Sequence, residues 1–490
     1  MVIARKIAYN VVLNSFLKVF STVVLSLLSI RLMTGYLGQE GFGKYATVLA
    51  FFSFFTAFAD LGLGSVTARE ISRPGADEGE ILGNVLTLRL VSSLAILLLS
   101  PLIAFFSPYA RDIEIGIMIA AGAMVFSTLS SVLNGIFQKN LAMDKVAMVE
   151  FLGKLFQVGL IIIIVKENLG FLAVACTLIV ALAFNSLCAL FLSRRYITFR
   201  LRFDFSYWRQ FLRHSLPMGV TALITFSYFK MDTILLSVMQ SNAHVGIYNV
   251  AYKIMENLIF FPAMLSGLIL PILSRFIFTE RRHFVEIADK TFKVFFIIVV
   301  PIVAGTWFLA PDIVRIVSGS GFESSAAVLR ILIFSLGCIF FGNYFNMLLI
   351  VGNAQKKLMQ ALIFVALFNI SLNSFLIPRY SYTGAAFTAV ATELAVVILT
   401  GFLVYRHLRY VPSFEHISKI LFSGLVMSGV LYLLEPFSFA VAGIGGVAVY
   451  LALLGLTKSI SAEEISSLFQ KDGKNAMAET ESIESLTPTP

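Results

Sequence analysis

The feature that most constrains this chain is a succession of apolar stretches, each about 20 residues long. A helix of about 20 apolar residues crosses the roughly 30 Å hydrocarbon core of a bilayer. We count about fourteen such stretches, each bounded by charged residues, glycine, proline or asparagine. They lie approximately at 11–33, 43–65, 82–106, 113–137, 146–166, 169–193, 211–239, 245–274, 291–311, 326–351, 358–377, 383–405, 416–434 and 437–457. We therefore expect an all-α, polytopic membrane protein with about 14 transmembrane helices.

The composition excludes a soluble protein of this length. Of 490 residues, 58% are hydrophobic and only 13% are charged, whereas soluble domains are roughly 45–50% apolar and about 25% charged. The 3 cysteines lie inside apolar stretches, and neither they nor the 5 histidines have the spacing of metal ligands. The net charge of +9 is distributed over short loops between the apolar stretches. It therefore indicates membrane topology and not nucleic-acid binding.

The lysines and arginines of these loops predict the orientation. About 25 of them lie on the side that contains both termini and about 5 on the other side, and such residues are enriched in cytoplasmic loops. We expect both termini in the cytoplasm, an even number of spans, and location in the cytoplasmic (plasma) membrane.

The chain divides into two similar halves. The longest basic stretch, Arg194–His214, separates the first six predicted spans from the next six, and GFGKY (Gly41–Tyr45) in the first half is similar to HVGIY (His244–Tyr248) in the second. Two such repeats are related by an axis along the membrane normal, with a substrate cavity between them. We expect an N-lobe at 1–200, a C-lobe at 201–410, helices 13 and 14 at 411–457, and a cytoplasmic, disordered tail at 458–490.

Ten ionisable residues fall inside the apolar stretches. Lys18, Arg89, Glu150 and Lys154 lie near cytoplasmic helix ends, so we interpret them as side chains that extend to the interface, with Glu150 and Lys154 paired at i,i+4. The other six would together cost on the order of 18 kcal/mol against lipid, so they must be paired or face water. These six are Asp60, Lys230, Asp232, Lys253, Glu256 and Glu393.

Spacing along the helices predicts some of their partners. Lys253 and Glu256 stand at i,i+3 and can satisfy each other. Lys230 and Asp232 are two residues apart and cannot share a helix face, so at least one needs a partner elsewhere. Arg31, at the outer end of the first span, is a further cation. With Lys230 and Lys253 it would give a central cavity a cationic lining suited to an anionic head group.

Helix-breaking residues and the absence of catalytic motifs favour transport. LGLG (Leu61–Gly64) and the prolines Pro262 and Pro271 interrupt apolar stretches, and such interruptions are tolerated where backbone lines a cavity. GQEGFGKY (Gly38–Tyr45) lacks the final Ser or Thr of a phosphate-binding loop, and SFLK (Ser15–Lys18) lacks the companion motifs of a serine nucleophile. We therefore expect a secondary transporter, not an enzyme, with no catalytic residues, metal site or organic cofactor.

Several segments together resemble a known family. They are RLMTGYLGQEGFGKYATVLAFFSFFTAFADLGLGSVTAREI (Arg31–Ile71), KMDTILLS (Lys230–Ser237), VGIYNVAYKI (Val245–Ile254) and the Pro262, Pro271 pair. They are similar to polysaccharide flippases, of the O-antigen and exopolysaccharide type, in the multidrug/oligosaccharidyl-lipid/polysaccharide (MOP) exporter superfamily. The resemblance implies that the protein turns a polyprenyl-diphosphate-linked oligosaccharide from the inner to the outer leaflet by alternating access, for cell-surface polysaccharide biosynthesis. It also implies that cavity cations handle the diphosphate, and Arg31, Lys230 and Lys253 are the candidates.

The energy source and the partners follow from the same resemblance. A membrane potential of about 100 mV, inside negative, favours outward movement of a dianion by about 4–5 kcal/mol. If Na⁺ or H⁺ is exchanged as well, the candidate carriers are the intramembrane carboxylates Asp60, Asp232, Glu256 and Glu393. The expected partners are lipid-linked oligosaccharide, membrane lipids, a polysaccharide polymerase and glycosyltransferases, and not nucleic acid.

Three alternatives stay open. A cation-coupled multidrug antiporter of the same superfamily would usually have twelve spans and an aromatic or acidic cavity. A peptidoglycan-precursor lipid flippase shares the fourteen spans. A non-transporting scaffold or a lipid-modifying enzyme such as an acyltransferase is a third, although the sequence shows no catalytic set near an interface.

Overall fold

The computed structural model describes residues 20–457 and 459, except residues 61, 74, 107, 141, 198 and 199. Within these residues all regular structure is helical, which confirms the all-α prediction. Ten of the helices in this part of the chain are long and apolar enough to cross a membrane. Lys18, the start of the first predicted span and nearly all of the predicted tail lie outside the described residues.

The helices follow one another through short connections, after a π-helical turn at Phe20–Leu25. They are α1 (Ser26–Asp60), α2 (Leu63–Glu70), α3 (Glu78–Phe105), α4 (Arg111–Lys139), α5 (Met143–Lys166), α6 (Gly170–Ser193), α7 (Phe205–Met239), α8 (Asn242–Leu258), α9 (Phe260–Phe276), α10 (Arg281–Ser318), α11 (Ser324–Val351), α12 (Gln355–Leu408), α13 (Ile417–Leu433) and α14 (Phe439–Leu456).

Two of these helices are interrupted by a single non-helical residue. Gly38 breaks α1 (φ 64°, ψ −170°) and Ser381 breaks α12 (φ 52°, ψ −132°). When each of the two is divided at its break, every predicted apolar stretch overlaps a helical segment of the described chain. Gly62 (φ 76°) separates α1 from α2, as the LGLG interruption predicts, because glycine tolerates positive φ without a steric penalty.

The chain forms two compact units. The first contains residues 1–270 and 310–409, so far as they are described, and the second contains the remainder. In the first unit α1 packs along α8, α4 packs along α3 and α6, and α11 packs along α12. Its apolar clusters include one around Phe55 and Met124 and another around Leu133 and Phe137.

The second unit is built from the first part of α10 together with α13 and α14. Ile420, Met427 and Tyr450 form its buried cluster, and the Tyr450 hydroxyl donates to the Ile297 carbonyl at 3.0 Å. A Cβ at Gly424 would lie 2.3 Å from a methyl carbon of Val300. The predicted thirteenth and fourteenth spans therefore pack on the ninth.

The two ends of the first unit differ in character. At one end Lys139 pairs with Glu78, and Arg202 pairs with Glu80 at 3.1 Å. This end carries the loops at 71–77, 139–142 and 194–204, and we call it the basic end. At the opposite end, which we call the far end, the N–H of Gly170 donates to the hydroxyl of Tyr36 at 2.7 Å.

Candidate functional site: a polar cavity beside buried charges

A cavity of about 920 Å³ lies within the first unit. Its walls come from α1 to α5 in the first half of the chain, and from α7 and α9 in the second half. Gln138 and Met143, which flank a loop of the basic end, belong to its lining. The volume falls within the range of roughly 300–1,000 Å³ typical of ligand pockets. The charged side chains of its lining are Asp60, Arg89, Glu150 and Lys230.

Asp60 and Arg89 form an ion pair on the cavity wall. The Arg89 side chain is 2% exposed and that of Asp60 is 29% exposed, and Arg89 also donates to the Thr128 carbonyl at 3.1 Å. The pair lies where α1 ends. Gly64 leaves room for it, because a Cβ there would lie 3.2 Å from both an Arg89 nitrogen and the Ser131 hydroxyl. The interpretation of Arg89 as a side chain that extends to the interface is therefore wrong.

Lys230 and Lys253 share one carboxylate. Glu256 accepts from Lys230 at 2.5 Å and from Lys253 at 2.6 Å, which confirms the predicted i,i+3 pair. The Lys230 ammonium also lies over the ring of Tyr252, 4.8 Å from its centroid. Lys230 lines the cavity, whereas Lys253 and Glu256 do not belong to its lining.

A third lysine adds to this positive charge. Lys154 of α5 donates to Gln157 at 3.2 Å and lies close enough to Lys253 for the two ammonium groups to repel. Lys230 and Lys253 thus share Glu256, and Lys154 interacts with Lys253. We call these four residues the lysine cluster. Positive charge in excess of its counter-charge, beside a cavity and away from bulk water, favours the binding of an anion.

Asp232 is the acceptor of a separate buried network. Its side chain accepts from Asn373 at 2.6 Å, from Asn369 at 3.1 Å and from the Tyr248 hydroxyl at 3.0 Å. Asp232 is 2% exposed. The residues that stabilise it lie on α8 and α12, so the predicted need for partners elsewhere in the chain is confirmed. Asn369 donates further to the Thr392 hydroxyl at 3.1 Å.

The remaining two predicted residues lie outside the cavity lining. Glu393 is 6% exposed on α12 and interacts electrostatically with Asp232. Arg31 is exposed at the far end, where its guanidinium lies against Gly319, and a Cβ at that glycine would be 1.8 Å from an Arg31 nitrogen. The structure therefore brings Lys230 and Lys253 together and leaves Arg31 apart from them.

The two similar motifs GFGKY and HVGIY meet at the far end. A Cβ at Gly43 would lie 1.8 Å from the Asn242 carbonyl oxygen, and a Cβ at Gly246 would lie 2.1 Å from the Gln39 carbonyl oxygen. Only glycine allows the two backbones to approach this closely. Nearby, the Thr34 hydroxyl donates to the Ser318 carbonyl at 2.9 Å. The helices of the two halves are therefore in direct contact at this end.

Sequence reasoning missed several members of these groups. Asn369 and Asn373 stand at i,i+4 within one apolar stretch, and two amides on one face of a membrane helix signal a polar partner. Lys154, which the sequence pairs with Glu150, also interacts with Lys253 on another helix, and spacing along one helix does not predict that contact. In the part of the chain that the structure describes, no group of three or more His, Cys, Asp or Glu side chains could hold a metal ion.

Known proteins resemble this chain both in sequence and in fold. The sequence profile described as "Polysaccharide biosynthesis protein" matches residues 3–277, more than half of the chain. The chain belongs to this family of polysaccharide biosynthesis proteins. A relative from Haloferax volcanii, named "Probable low-salt glycan biosynthesis flippase Agl15", is 23% identical over 421 residues, which cover 83% of this chain and 86% of that protein.

Solved structures with the same fold are membrane transporters. "Lipid II flippase MurJ, inward closed conformation" is similar with a TM-score of 0.76 and 18% identity, covering 94% of this chain and 99% of that one. A multidrug resistance transporter of the MOP superfamily in an inward-facing conformation is similar with a TM-score of 0.64 and 18% identity, covering 78% and 93%. The family member described here is thus a multi-span membrane protein with the MOP transporter fold.

Proposed function

We propose that this family member is a secondary transporter that turns a polyprenyl-diphosphate-linked oligosaccharide from the inner to the outer leaflet of the cytoplasmic membrane. The single observation that carries the proposal is the lysine cluster, in which the ammonium groups of Lys230 and Lys253 share the one Glu256 carboxylate next to the cavity. A diphosphate at Lys230 would supply the missing negative charge. The flippase name of the Haloferax volcanii relative and the family of polysaccharide biosynthesis proteins support this substrate class.

Alternating access of an N-lobe (1–200) and a C-lobe (201–410) would move this substrate. In this structure the helices of the two halves touch at the far end, at Gly43 and Gly246, and the cavity lining extends towards the basic end. We propose that the basic end faces the cytoplasm, so that the cavity receives substrate from the inner leaflet. Separation of the far-end contact would then release the substrate outwards. Arg31, beside Gly319 at the far end, would meet the diphosphate on its exit.

Asp232 is the carboxylate best placed to serve a coupling cation. Three neutral donors stabilise its charge and Glu393 adds a second acidic group, so Na⁺ or H⁺ would replace hydrogen bonds and not a salt bridge. Asp60 and Glu256, by contrast, already have cationic partners. The membrane potential supplies a second driving force of about 4–5 kcal/mol per 100 mV for a dianion.

A peptidoglycan-precursor lipid is the second candidate substrate. The similarity to the lipid II flippase covers 94% of this chain, and such a lipid would also present a diphosphate to Lys230. A multidrug antiporter is less consistent with the cavity, because the lysine cluster repels a cationic drug.

Reconstitution into liposomes tests the proposal. Labelled polyprenyl-diphosphate oligosaccharide should exchange between leaflets with wild-type protein, faster with an imposed potential, and Lys230→Ala should slow it. Gly35→Ala is a matched control, since a Cβ there meets nothing within 4 Å. Efflux of lipophilic cations by well-folded protein that moves no lipid would instead support the antiporter. Exchange of labelled lipid II in place of the oligosaccharide lipid would support the second substrate.

A further inference from the structure

The part of the cavity wall that α4 forms carries a row of uncharged polar side chains. Ser127, Ser131, Asn134 and Gln138 of α4 all belong to the cavity lining. Their spacings of four, three and four residues place them on one face of a helix that has 3.6 residues per turn. At 1.5 Å per residue the row extends over about 16 Å, which is longer than a single pyranose ring.

These four side chains are free to bind a ligand. Most hydroxyl groups in the neighbouring helices donate to the carbonyl one turn earlier, as Ser53 does to Leu49 at 3.0 Å. By contrast, within the described residues, the side chains of the α4 row have no hydrogen-bond partner. Polar groups in a membrane protein that do not satisfy themselves locally generally face water or a ligand.

A second, shorter row runs beside the first. Ser53 and Thr56 of α1 line the same cavity, and because their hydroxyl hydrogens go to their own helix, their oxygens are left as acceptors. Together the two rows offer neutral donors and acceptors, which are the groups that hydrogen-bond to sugar hydroxyls. This wall attracts the anionic part of a glycolipid only weakly, because the charge of Arg89 is already paired with that of Asp60.

We propose that the α4 row, with Ser53 and Thr56, is a glycan-binding wall that binds more than the first sugar of the lipid-linked substrate. This inference rests on the proposed function. The diphosphate lies at Lys230 on α7, and the sugars extend along α4 towards Gln138 at the basic end. Phe226, Phe229 and Phe260 on the Lys230 side present apolar surface to the C–H faces of the same sugars.

The test separates recognition of the glycan from recognition of the diphosphate. Binding to purified protein in nanodiscs is measured for the glycan lipid of the source cells and for its precursor that carries one sugar. Wild-type protein should prefer the full glycan. The preference of the triple variant Ser131→Ala/Asn134→Ala/Gln138→Ala should fall about 30-fold, which is about threefold for each of three hydrogen bonds. Lys230→Ala should lower the affinity for both lipids equally and leave the preference for the full glycan unchanged.

A matched control lies one residue away. Ser130 bonds the Ser186 hydroxyl at 2.8 Å and is not in the cavity lining, so Ser130→Ala should keep the wild-type preference. If the triple variant does not fold, Ser131→Ala and Asn134→Ala alone should each lose about threefold. If the wild-type protein shows no preference for the full glycan, or if the variants keep that preference, the proposed glycan-binding wall is wrong but the proposed function still stands. A wild-type protein that binds neither lipid would overturn the proposed function with it.

Discussion

Substituting Gly43 by alanine should shift the conformational equilibrium of the transporter. The added Cβ would lie 1.8 Å from the Asn242 carbonyl oxygen, whereas ordinary contact begins at 3.4 Å, so α1 and α8 must separate by about 1.6 Å. The other near atoms are the Asn242 carbonyl carbon and the Gly246 nitrogen, and backbone cannot rotate away. Overpacking of this kind costs about 1–3 kcal/mol. The population closed at the far end should therefore fall about 5- to 150-fold relative to the open one.

Cysteine labelling measures this shift. In a variant without the native cysteines, Thr56→Cys places a thiol on the cavity wall, and a membrane-impermeant maleimide is added from the far side of oriented vesicles. Gly43→Ala should accelerate labelling, whereas Gly35→Ala on the same helix should not, because its Cβ meets nothing within 4 Å. Equal labelling rates in the two variants would show that the glycine contact does not close the far end, and the argument from backbone distance would fail.

Three further substitutions test the packing, each by thermal unfolding in detergent. Arg89→Ala should destabilise the protein by up to about 3 kcal/mol, because it leaves the partly exposed Asp60 carboxylate unpaired; a double alanine variant that is no more stable than the single would contradict this. Asp232→Ala should cost about 3 kcal/mol or more by removing the acceptor of three hydrogen bonds, and an unchanged melting temperature would refute the network's role. Gly424→Ala should lower the stability by about 1–3 kcal/mol, because its Cβ would overlap Val300 of α10. The control Gly429→Ala, whose Cβ meets nothing within 4 Å, should leave the stability unchanged; similar losses in both variants would count against specific packing at Gly424.

Residue spacing in the sequence predicts contacts within one helix but does not predict contacts between different helices. The Lys253 to Glu256 pair follows from a separation of three residues on one helix. The second partner of Glu256 is Lys230 on another helix. The amides of Asn369 and Asn373 are more than a hundred residues from Asp232. Hydropathy gives the number and direction of membrane helices but not which helices are neighbours, so these partners could not be assigned.

Arg89 shows a second limit, because the depth of a residue depends on where its helix begins. The apolar stretch starts near residue 82, which places Arg89 two turns from the end. The helix itself starts at Glu78, so Arg89 lies about 16 Å along it. At that depth the side chain forms an ion pair with Asp60 and stays buried. Polar residues at a helix start are invisible to a hydropathy criterion.

The far-end contact has an evolutionary consequence. Gly43 and Gly246 meet through main-chain atoms, and a peptide backbone is the same whatever sugar the cell happens to assemble. In the proposed transport cycle, closure at the far end would therefore not depend on which glycan is carried. Under that proposal, lineages that alter their surface glycans would change the side chains of the cavity and keep the backbone contact that closes it.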